Sequence, residues 1–454
     1  MSQGRNPISL SIPSSPVRPT LRCILQAALK SVDPSDALIS NVSVRGSKLR
    51  GGQRDYDLRR LGRIVVVGAG KAAVPMAWAL EEVLRNRLEG GLVAAPAKDK
   101  LSPGSRIQVA VAGHPIPDGR GLRTARRILD IAASLDANDL LIVLVSGGAS
   151  SLLPLPVDGV TLQDKQKTTN LLLRSGASIS EINAVRKHLS AIKGGRLAQA
   201  TRASVLTLIL SDVAGDDLGT IGSGLTAPDP TTFQDAVRII RQYKLWQRLP
   251  VRVRIHLVEG LAGWQDETPT RRHRFFNRVD YVIIGNNRIA LEAGARTARN
   301  LGYDVVIVDK FLTGEATETG NWMAQLGRAL QCMKLRRPLL VIAGGEPTVK
   351  VEGDGRGGRA QQVALAAALA LQGTRRVWVA GLGTDGRDGP TDAAGAMVDG
   401  GTIARAKRKG YGAARYLARN DSYTFFKHVG GHIKTGLTGT NVNDLYLVLV
   451  RPKD

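Results

Sequence analysis

Hydrophobic and polar positions along the chain alternate between two regimes. Continuous aliphatic and β-branched runs at Arg63–Gly68, Gly91–Ala95, Ile107–Ala112, Leu140–Val145 and Val205–Leu210 predict strands buried on both faces. Between them, apolar residues recur every three or four positions over Ala72–Leu88, Gly121–Leu135, 161–174 and 179–190, the spacing of helices with one buried face. An earlier helix is predicted over Leu21–Ser31. Strands alternating with helices predict a mainly parallel sheet covered on both faces. Right-handed crossovers then align the strand carboxyl ends along one edge, where ligands bind.

The alternation breaks over 211–278, which holds Pro228, Pro230, a helix near 232–244 and a basic segment at 271–278. It restarts with strands at Tyr281–Ile284, Asp304–Val308, Leu339–Ala343 and Val377–Leu382. Helices at Ile289–Leu301, Thr317–Met333 and Arg359–Leu371 lie between them, and a last strand spans Leu445–Val450. The fold class expected is α/β in two lobes, a larger N-terminal doubly wound lobe and a smaller C-terminal one. The lobe boundary falls within 245–280, and the cleft between lobes is the default ligand site. Residues 1–19 read as a disordered leader, 20–255 as the N-terminal domain and 256–279 as a linker. Residues 280–454 form the C-terminal domain, with its last strand free to return to the N-terminal lobe. Residues 43–61, with Gly46, Gly51, Gly52 and several arginines, read as a polar connector.

Composition narrows the classes. With 43% apolar and 22% charged residues over 454 positions, the chain is globular rather than disordered. Cys23 and Cys332 are too few for a disulfide framework or a cysteine-based zinc site, which favours a reducing cytoplasm. The longest apolar stretches, such as Val363–Leu371, fall short of the roughly 20 residues of a membrane span. Nor does the N-terminus carry the apolar core of a secretory signal. The net charge of +24, with 45 arginines, raises nucleic-acid binding. The basic residues are spread along the whole chain, however, without zinc-finger spacing, an RNP-like strand or a basic region with heptads. An Arg-rich solvated surface is the preferred account, without a specific nucleic-acid or membrane partner.

The chemistry lies in the turns that follow the strands. Gly68-Ala-Gly70-Lys71-Ala-Ala73 fits the G-x-G-x-x-A dinucleotide pattern, and Lys71 at a helix start suits a phosphoryl group. A tight strand-to-helix turn with a solvated lysine accounts for the same residues. Ser146-Gly147-Gly148-Ala149-Ser150 makes a cradle for phosphate or carboxylate, or a capped turn. Arg186, Lys187, Lys193 and Arg196, with two glycines, suit an anion as a group, while each alone fits a helix surface. Asp212 ends a strand, where a carboxylate acts as a base or holds Mg²⁺. Glu346, the loop Gly353–Arg359, the cluster Asp385, Asp388 and Asp392, and Thr438–Asp444 complete the set. His114 in Gly113-His-Pro is a substrate contact or a turn residue. Glycines with cations in some loops and carboxylates in others describe a site for a polyphosphate and its metal.

In this order, the segments VVGAGKAA (66–73), GHPIPD (113–118), SGGASSLL (146–153), NAVRKHLSAIKGGRLA (183–198), SDVAGDD (211–217), GSGLTAPDPTTF (222–233), AGGEPTV (343–349), GTDGRDGPTDAAGA (383–396), LARNDSYTFF (417–426) and TGTNVNDL (438–445) resemble the glycerate 2-kinase family of the MOFRL type. The resemblance runs from about residue 21 to 451. It implies a Rossmann-like N-terminal domain, a smaller MOFRL-type α/β domain and an active site in the interdomain cleft. It also implies transfer of the ATP γ-phosphoryl group to the 2-hydroxyl of D-glycerate with Mg²⁺. Lys71, Asp212 and Arg359 would be catalytic. Ser146, Gly147, Gly148, Ser150, Arg186 and Lys193 would bind substrate or phosphate. Gly68, Gly70, Glu346, Gly357, Gly358 and Asn441 would bind nucleotide, and Asp385 and Asp388 the metal. A homodimer is the assembly considered. Some members are named hydroxypyruvate reductase, so NAD(P)H-dependent reduction is the alternative. Against it, Ala94-Ala95-Pro96-Ala97 stands where an acidic ribose partner belongs, with Asp99 just beyond. The family's GGRNQE loop reads Gly357-Gly358-Arg359-Ala360-Gln361-Gln362 here, so the side chains that make the family's Asn and Glu contacts are absent.

Overall fold

A computed structural model of the chain describes residues 9–97 and 104–453. They divide into two compact units, one of 34–284 and one that joins the segment before residue 34 to 285–454. Residues 1–8 of the expected leader, and Asp99, lie outside the described residues. The rest of that leader is ordered: Leu10, Ile12 and Val17 are buried, and Ser11 pairs with Lys434. Helix α1 (Arg18–Ser31) follows. Its apolar stripe of Leu21, Ile24, Leu25, Ala28 and Leu29 is buried, and it belongs with the C-terminal unit, not the N-terminal one the sequence reading assigned.

The unit of 34–284 opens with α2 (Pro34–Asn41) and an antiparallel sheet of β1 (Val42–Arg45), β2 (Lys48–Gly51) and β3 (Arg54–Asp57). The stretch 43–61 is therefore a small sheet rather than a connector. Gly46 and Gly52 turn it at positive φ, and Leu49 and Tyr56 supply its buried face. The main sheet is built from β4 (Ile64–Ala69), β5 (Gly90–Ala95), β6 (Ile107–Val111), β7 (Leu140–Val145), β8 (Ser204–Leu210) and β9 (Val279–Gly285), in the order β6-β5-β4-β7-β8-β9. The pairings of β6 through β8 are all parallel. Helices α3 (Ala73–Leu84) and α4 (Gly119–Ala133), with the short α5 (Ala149–Leu152), follow β4, β6 and β7.

Between β7 and β8 run α6 (Leu162–Arg174), α7 (Ile179–His188) and α8 (Arg196–Gln199). After β8 come α9 (Phe233–Gln242) and α10 (Val251–Leu261). Helices α6, α7 and α9 each start on a reciprocal capping box, Thr161 with Asp164, Ser178 with Glu181 and Thr232 with Asp235. With α10 they close a second core around Leu172, Ile182, Val185, Phe233, Ile240 and Leu257. The expected linker 256–279 is thus part of this unit, and β9 is its edge strand rather than the first strand of the next lobe. The cause is local: Arg54 and Tyr56 hydrogen-bond Asp280 at 2.7–2.8 Å, and Val282 lies against Gly52.

The other unit carries α11 (Asn287–Asn300), β10 (Asp304–Leu312), α12 (Ala316–Cys332), β11 (Leu339–Gly345), α13 (Arg359–Ala370), β12 (Val377–Gly383), β13 (Gly395–Asp399), α14 (Thr402–Arg408), α15 (Ala413–Ala418), α16 (Ser422–Val429), β14 (His432–Ile433) and β15 (Asp444–Val450). Its mixed sheet runs β10-β11-β15-β12-β13-β14. The last strand, β15, does not return to the N-terminal lobe. It is antiparallel to both β11 and β12 at the centre of its own sheet. Its continuous run Leu445–Val450 is buried throughout, as a central strand requires. Cys23 and Cys332 are exposed and unpaired. Among the described residues no helix is long and apolar enough to cross a membrane.

Helix α13 is half alanine and buried over Ala360–Ala368, and α12 approaches it closely at Gly320. A Cβ at that position would stand 2.3 Å from the Val363 carbonyl and 2.8 Å from Ala366 Cβ. Gly320→Ala is expected to destabilise this unit by about 1–3 kcal/mol through overpacking, against the ~1 kcal/mol that alanine gains in helix propensity. Urea unfolding followed by circular dichroism checks this; an unchanged or higher midpoint would show that the helices have room to separate.

Candidate active site

In the unit of 34–284, the site is built where β4, β7 and β8 end. Gly68 lets β4 run against β7: a Cβ there would stand 2.2 Å from the Leu144 carbonyl. Gly70, at φ +142°, would place one 2.0 Å from Ser146 Oγ. The amides at the start of α3 are already engaged. Gly70 N–H donates to Ala94 O (3.1 Å), Lys71 N–H to Gly147 O (2.9 Å) and Ala72 N–H to Ser146 Oγ (3.0 Å). A dinucleotide fingerprint leaves such groups for a pyrophosphate; here they tie two turns together. At Gly68 and Gly70, expected to bind nucleotide, the packing of the two turns itself requires glycine. Beyond the β5 carboxyl end at Ala95 come Pro96 and Ala97, neither of them acidic, and Asp99 lies outside the described residues.

The second turn is the open one. Among the described residues no backbone carbonyl accepts from the Gly147 or Gly148 amide, and three side chains gather around them. Asp212, following β8, lies over Gly147, where a Cβ would meet its Oδ2 at 2.2 Å. His114 and Lys71 flank Gly148, at 2.9 Å and 3.7 Å from a Cβ built there. Lys71 is exposed. Burial and the Lys71 charge hold the His114 imidazole below its ordinary pKa, so it is neutral at pH 7. A carboxylate, a neutral imidazole and an ammonium thus surround these amides at the carboxyl edge of a parallel sheet. That set can hold an anion, orient a hydroxyl and accept its proton.

The basic motif after α6 is sorted by its partners. Lys187 is buried against Asp229 at 3.2 Å, and Arg196 donates to the Asp266 carbonyl at 2.9 Å. His188 bridges Ala184 O (2.7 Å) and Glu267 (2.9 Å). Arg186 and Lys193 form no ion pair among the described residues. Lys193 Nζ donates to the Ser150 carbonyl at 2.9 Å, while Ser150 Oγ meets Ser223 Oγ (2.5 Å), which donates to Asn183 Oδ1 (3.1 Å). Lys193 is 1% exposed. Burial, and then the Arg186 charge, bring its pKa down to about 7. The site reading missed a third cation, Lys165, buried on α6. The available signal was its helical register with Thr168 and Leu172, which puts all three on the buried face.

In the other unit, Arg359 begins α13 and is held by carboxylates. Its Nε and Nη2 donate to Asp444 (2.6 and 3.1 Å) and its Nη1 to Glu346 (2.8 Å). Tyr446 donates to Asp444 (2.8 Å) and Asn443 to Glu346 (3.0 Å). Burial opposes the Arg359 charge, but the Asp444 hydrogen bond and charge outweigh it and raise its pKa. Asn441, expected to bind nucleotide, accepts from Asn443 N–H at 3.2 Å.

The two expected metal ligands are engaged in different ways. Asp385 accepts from Arg387 N–H (2.9 Å) in a turn. Asp388 is buried and accepts from Ala360 N–H (3.0 Å), Gln361 N–H (2.8 Å) and Gln361 Nε2 (3.0 Å). It caps α13, and burial followed by the Asp444 charge pushes its pKa up to about 7. Gly358 and Gly357 make that cap possible, since a Cβ would stand 2.3 Å from Asp388 Oδ1 or 2.2 Å from Ser422 Oγ. With both Asp388 oxygens bound to N–H groups, these residues do not fit a protein-held Mg²⁺ site. Among the described residues no group of three or more His, Cys, Asp or Glu is placed to hold a metal. Gln361, which keeps the family's residue, supplies two of the three bonds of this cap; at the two departures Ala360 gives only its backbone N–H, and Gln362 Nε2 donates to the Leu417 carbonyl at 3.3 Å.

Comparison with known proteins places this architecture. Residues 20–258 match a domain of unknown function, DUF4147, and 339–444 match the MOFRL family. The chain is 40% identical to the glycerate 2-kinase of Pyrococcus horikoshii over 94% of its length and 96% of that protein's. It is 41% identical to the D-glycerate 2-kinase of Thermotoga maritima, over 86% and 91%. The crystal structure of glycerate kinase from Thermotoga maritima superposes with a TM-score of 0.84 at 37% identity, covering 96% of this chain and 99% of that one. With a glycine turn flanked by a lysine, a histidine and an aspartate, and with relatives matched nearly end to end, this chain belongs to the DUF4147–MOFRL glycerate kinase family.

Proposed function

We propose that this protein transfers the γ-phosphoryl group of ATP to the 2-hydroxyl of D-glycerate, giving 2-phosphoglycerate and ADP. The observation that carries this reading is the gathering of Lys71, His114 and Asp212 around the amides of Gly147 and Gly148. Phosphoryl transfer demands positioning and charge neutralisation more than covalent chemistry. The hydroxyl oxygen attacks Pγ, the bond from Pγ to the β-phosphate oxygen breaks, and the hydroxyl proton passes to Asp212. The Lys71 ammonium and the two glycine amides meet the negative charge that spreads over the phosphoryl oxygens. Neutral His114 accepts from or donates to the substrate without adding charge. Ser146 fixes the turn through its bond to Ala72 N–H, and Ser150, Arg186 and Lys193 form the substrate side.

Glu346 and Asn441 keep a nucleotide role in this reading. Arg359 becomes the residue that holds Glu346 in place, because carboxylates already engage three of its nitrogens. Family likeness to glycerate 2-kinases supports ATP as the donor and glycerate as the acceptor. The occupied α3 amides weigh against a nicotinamide dinucleotide in the Gly68–Ala73 turn.

A coupled assay should show ADP release that depends on D-glycerate, with 2-phosphoglycerate rather than its 3-isomer as product. Turnover of hydroxypyruvate with NAD(P)H, and none of glycerate with ATP, would reverse the assignment. Lys71→Met should lower kcat by about 10²–10³-fold, the range seen when one charge-stabilising donor is lost, and leave the thermal midpoint unchanged because the side chain is exposed. Arg359→Met should behave oppositely. Leaving Asp444 buried without its partner is expected to cost about 3–5 kcal/mol, read as a lowered unfolding midpoint of its unit. A stable, inactive Arg359→Met would instead return Arg359 to direct contact with the phosphoryl group.

A further inference from the structure

The helical layer of the unit of 34–284 holds positive charge that no carboxylate matches. Lys165 on α6 is 6% exposed and Lys193 1%, and Arg186 on α7 is largely enclosed, with burial lowering its pKa. Among the described residues none of the three forms an ion pair. Their hydrogen-bond partners are carbonyls: Lys165 Nζ reaches Leu155 O at 3.4 Å and Lys193 Nζ reaches Ser150 O at 2.9 Å. The Leu155 carbonyl is shared with Ser190 Oγ (3.0 Å), which ties the α6 lysine to the turn that carries Lys193. Elsewhere in this layer Lys187 pairs with Asp229, and Glu267 is hydrogen-bonded to His188 Nε2 at 2.9 Å. Asp164 and Glu181 are engaged in their own capping boxes.

Buried like charges without a counterion are expensive, and a protein tolerates them by releasing protons or by binding an anion. Here burial, and then their cationic neighbours, push Lys165 and Lys193 below the ordinary lysine range. The second state is what the arrangement is built to reach. We propose that Lys165, Arg186 and Lys193 form one pocket that holds the carboxylate of the hydroxy-acid substrate, and that binding draws a proton onto the lysines. Only the identity of the anion rests on the kinase reading. A carboxylate is assigned rather than a phosphate for two reasons. The transferring phosphoryl group is met by the exposed Lys71 and the Gly147–Gly148 amides. The buried lysine Lys193, in contrast, grips the Ser150 carbonyl at the far end of the same turn, beside the hydroxyls of Ser150 and Ser223 and the amide of Asn183.

The sign follows from linkage. A bound anion favours the charged lysine, so complex formation takes up protons above pH 7 and affinity falls as pH rises. The experiment is calorimetric titration of the full chain with D-glycerate, without nucleotide, from pH 6.5 to 9 in two buffers of different ionisation enthalpy. For one linked proton, the Kd should weaken about tenfold per pH unit above pH ~7. The buffer dependence should report uptake approaching about one proton by pH ~8. Lys193→Met should abolish the uptake and weaken glycerate binding by about tenfold or more while leaving ATP affinity unchanged. Lys165→Met should reduce the uptake. Glycerol, which lacks the carboxylate, should not bind.

The wild-type buffer experiment stands even if a variant fails to fold. Turnover of D-glycerate with an affinity flat across this pH range would overturn the proposal and leave the kinase reading intact. So would Lys193-dependent uptake with inorganic phosphate or ATP in place of glycerate. If glycerate neither binds nor turns over while tartronate binds with proton uptake, the pocket stands and the substrate assignment falls.

Discussion

Two strand ends, those of β4 and β7, must lie side by side before anything else in the N-terminal site can exist. Gly68 permits the contact because any larger residue would drive a Cβ into the Leu144 carbonyl. The turns that follow are then laced together by Lys71 N–H to Gly147 O and Ala72 N–H to Ser146 Oγ. One glycine turn is thereby spent on the other: the α3 amides fix the Ser146–Ser150 loop, and that loop presents its own amides. Lys71 stands beside Gly148 because its backbone is a strut of the turn opposite.

Charge is handled differently in the two units. Around Arg359 a cation is surrounded by Asp444 and Glu346, with Tyr446 and Asn443 completing the network. Such a closed network is costly to break and orients its members. Around Lys193 the cations face hydroxyls, an amide and carbonyls instead. The first arrangement is complete without a ligand; the second is electrostatically unfinished.

Most of the main sheets was legible in the chain, since aliphatic runs such as Leu140–Val145 can hardly be anything but buried strands. What escaped depended on tertiary contacts. Tyr281–Ile284 looks like the start of a second lobe, yet Asp280 is claimed by Arg54 and Tyr56. The short hairpins of 43–57 have few residues to show a period, and only their packing makes them strands. In the site, Lys71, Asp212 and the Ser146–Ser150 turn could be found from their places after strands. Gly68, Gly70, Gly357, Gly358 and Asp388 could not be told from ligand-binding residues, because a glycine required by a neighbouring side chain and one required by a phosphate look alike in sequence. Lys165 was passed over for the opposite reason: a lysine on a helix is ordinarily solvated, and only its register with Thr168 and Leu172 marks it as buried.

The central place of β15 has a consequence for how the protein is made. The strand that joins β11 to β12 is the last of the sheet to be synthesised, and α1, which packs in the same unit, is among the first segments. Residues 34–284 can complete their parallel sheet while the ribosome is still at work. The surrounding unit must hold its opening helix in reserve until Val450 has emerged. During that interval the flanks of β11 and β12 are unpaired edges, the condition in which a nascent chain depends most on chaperones.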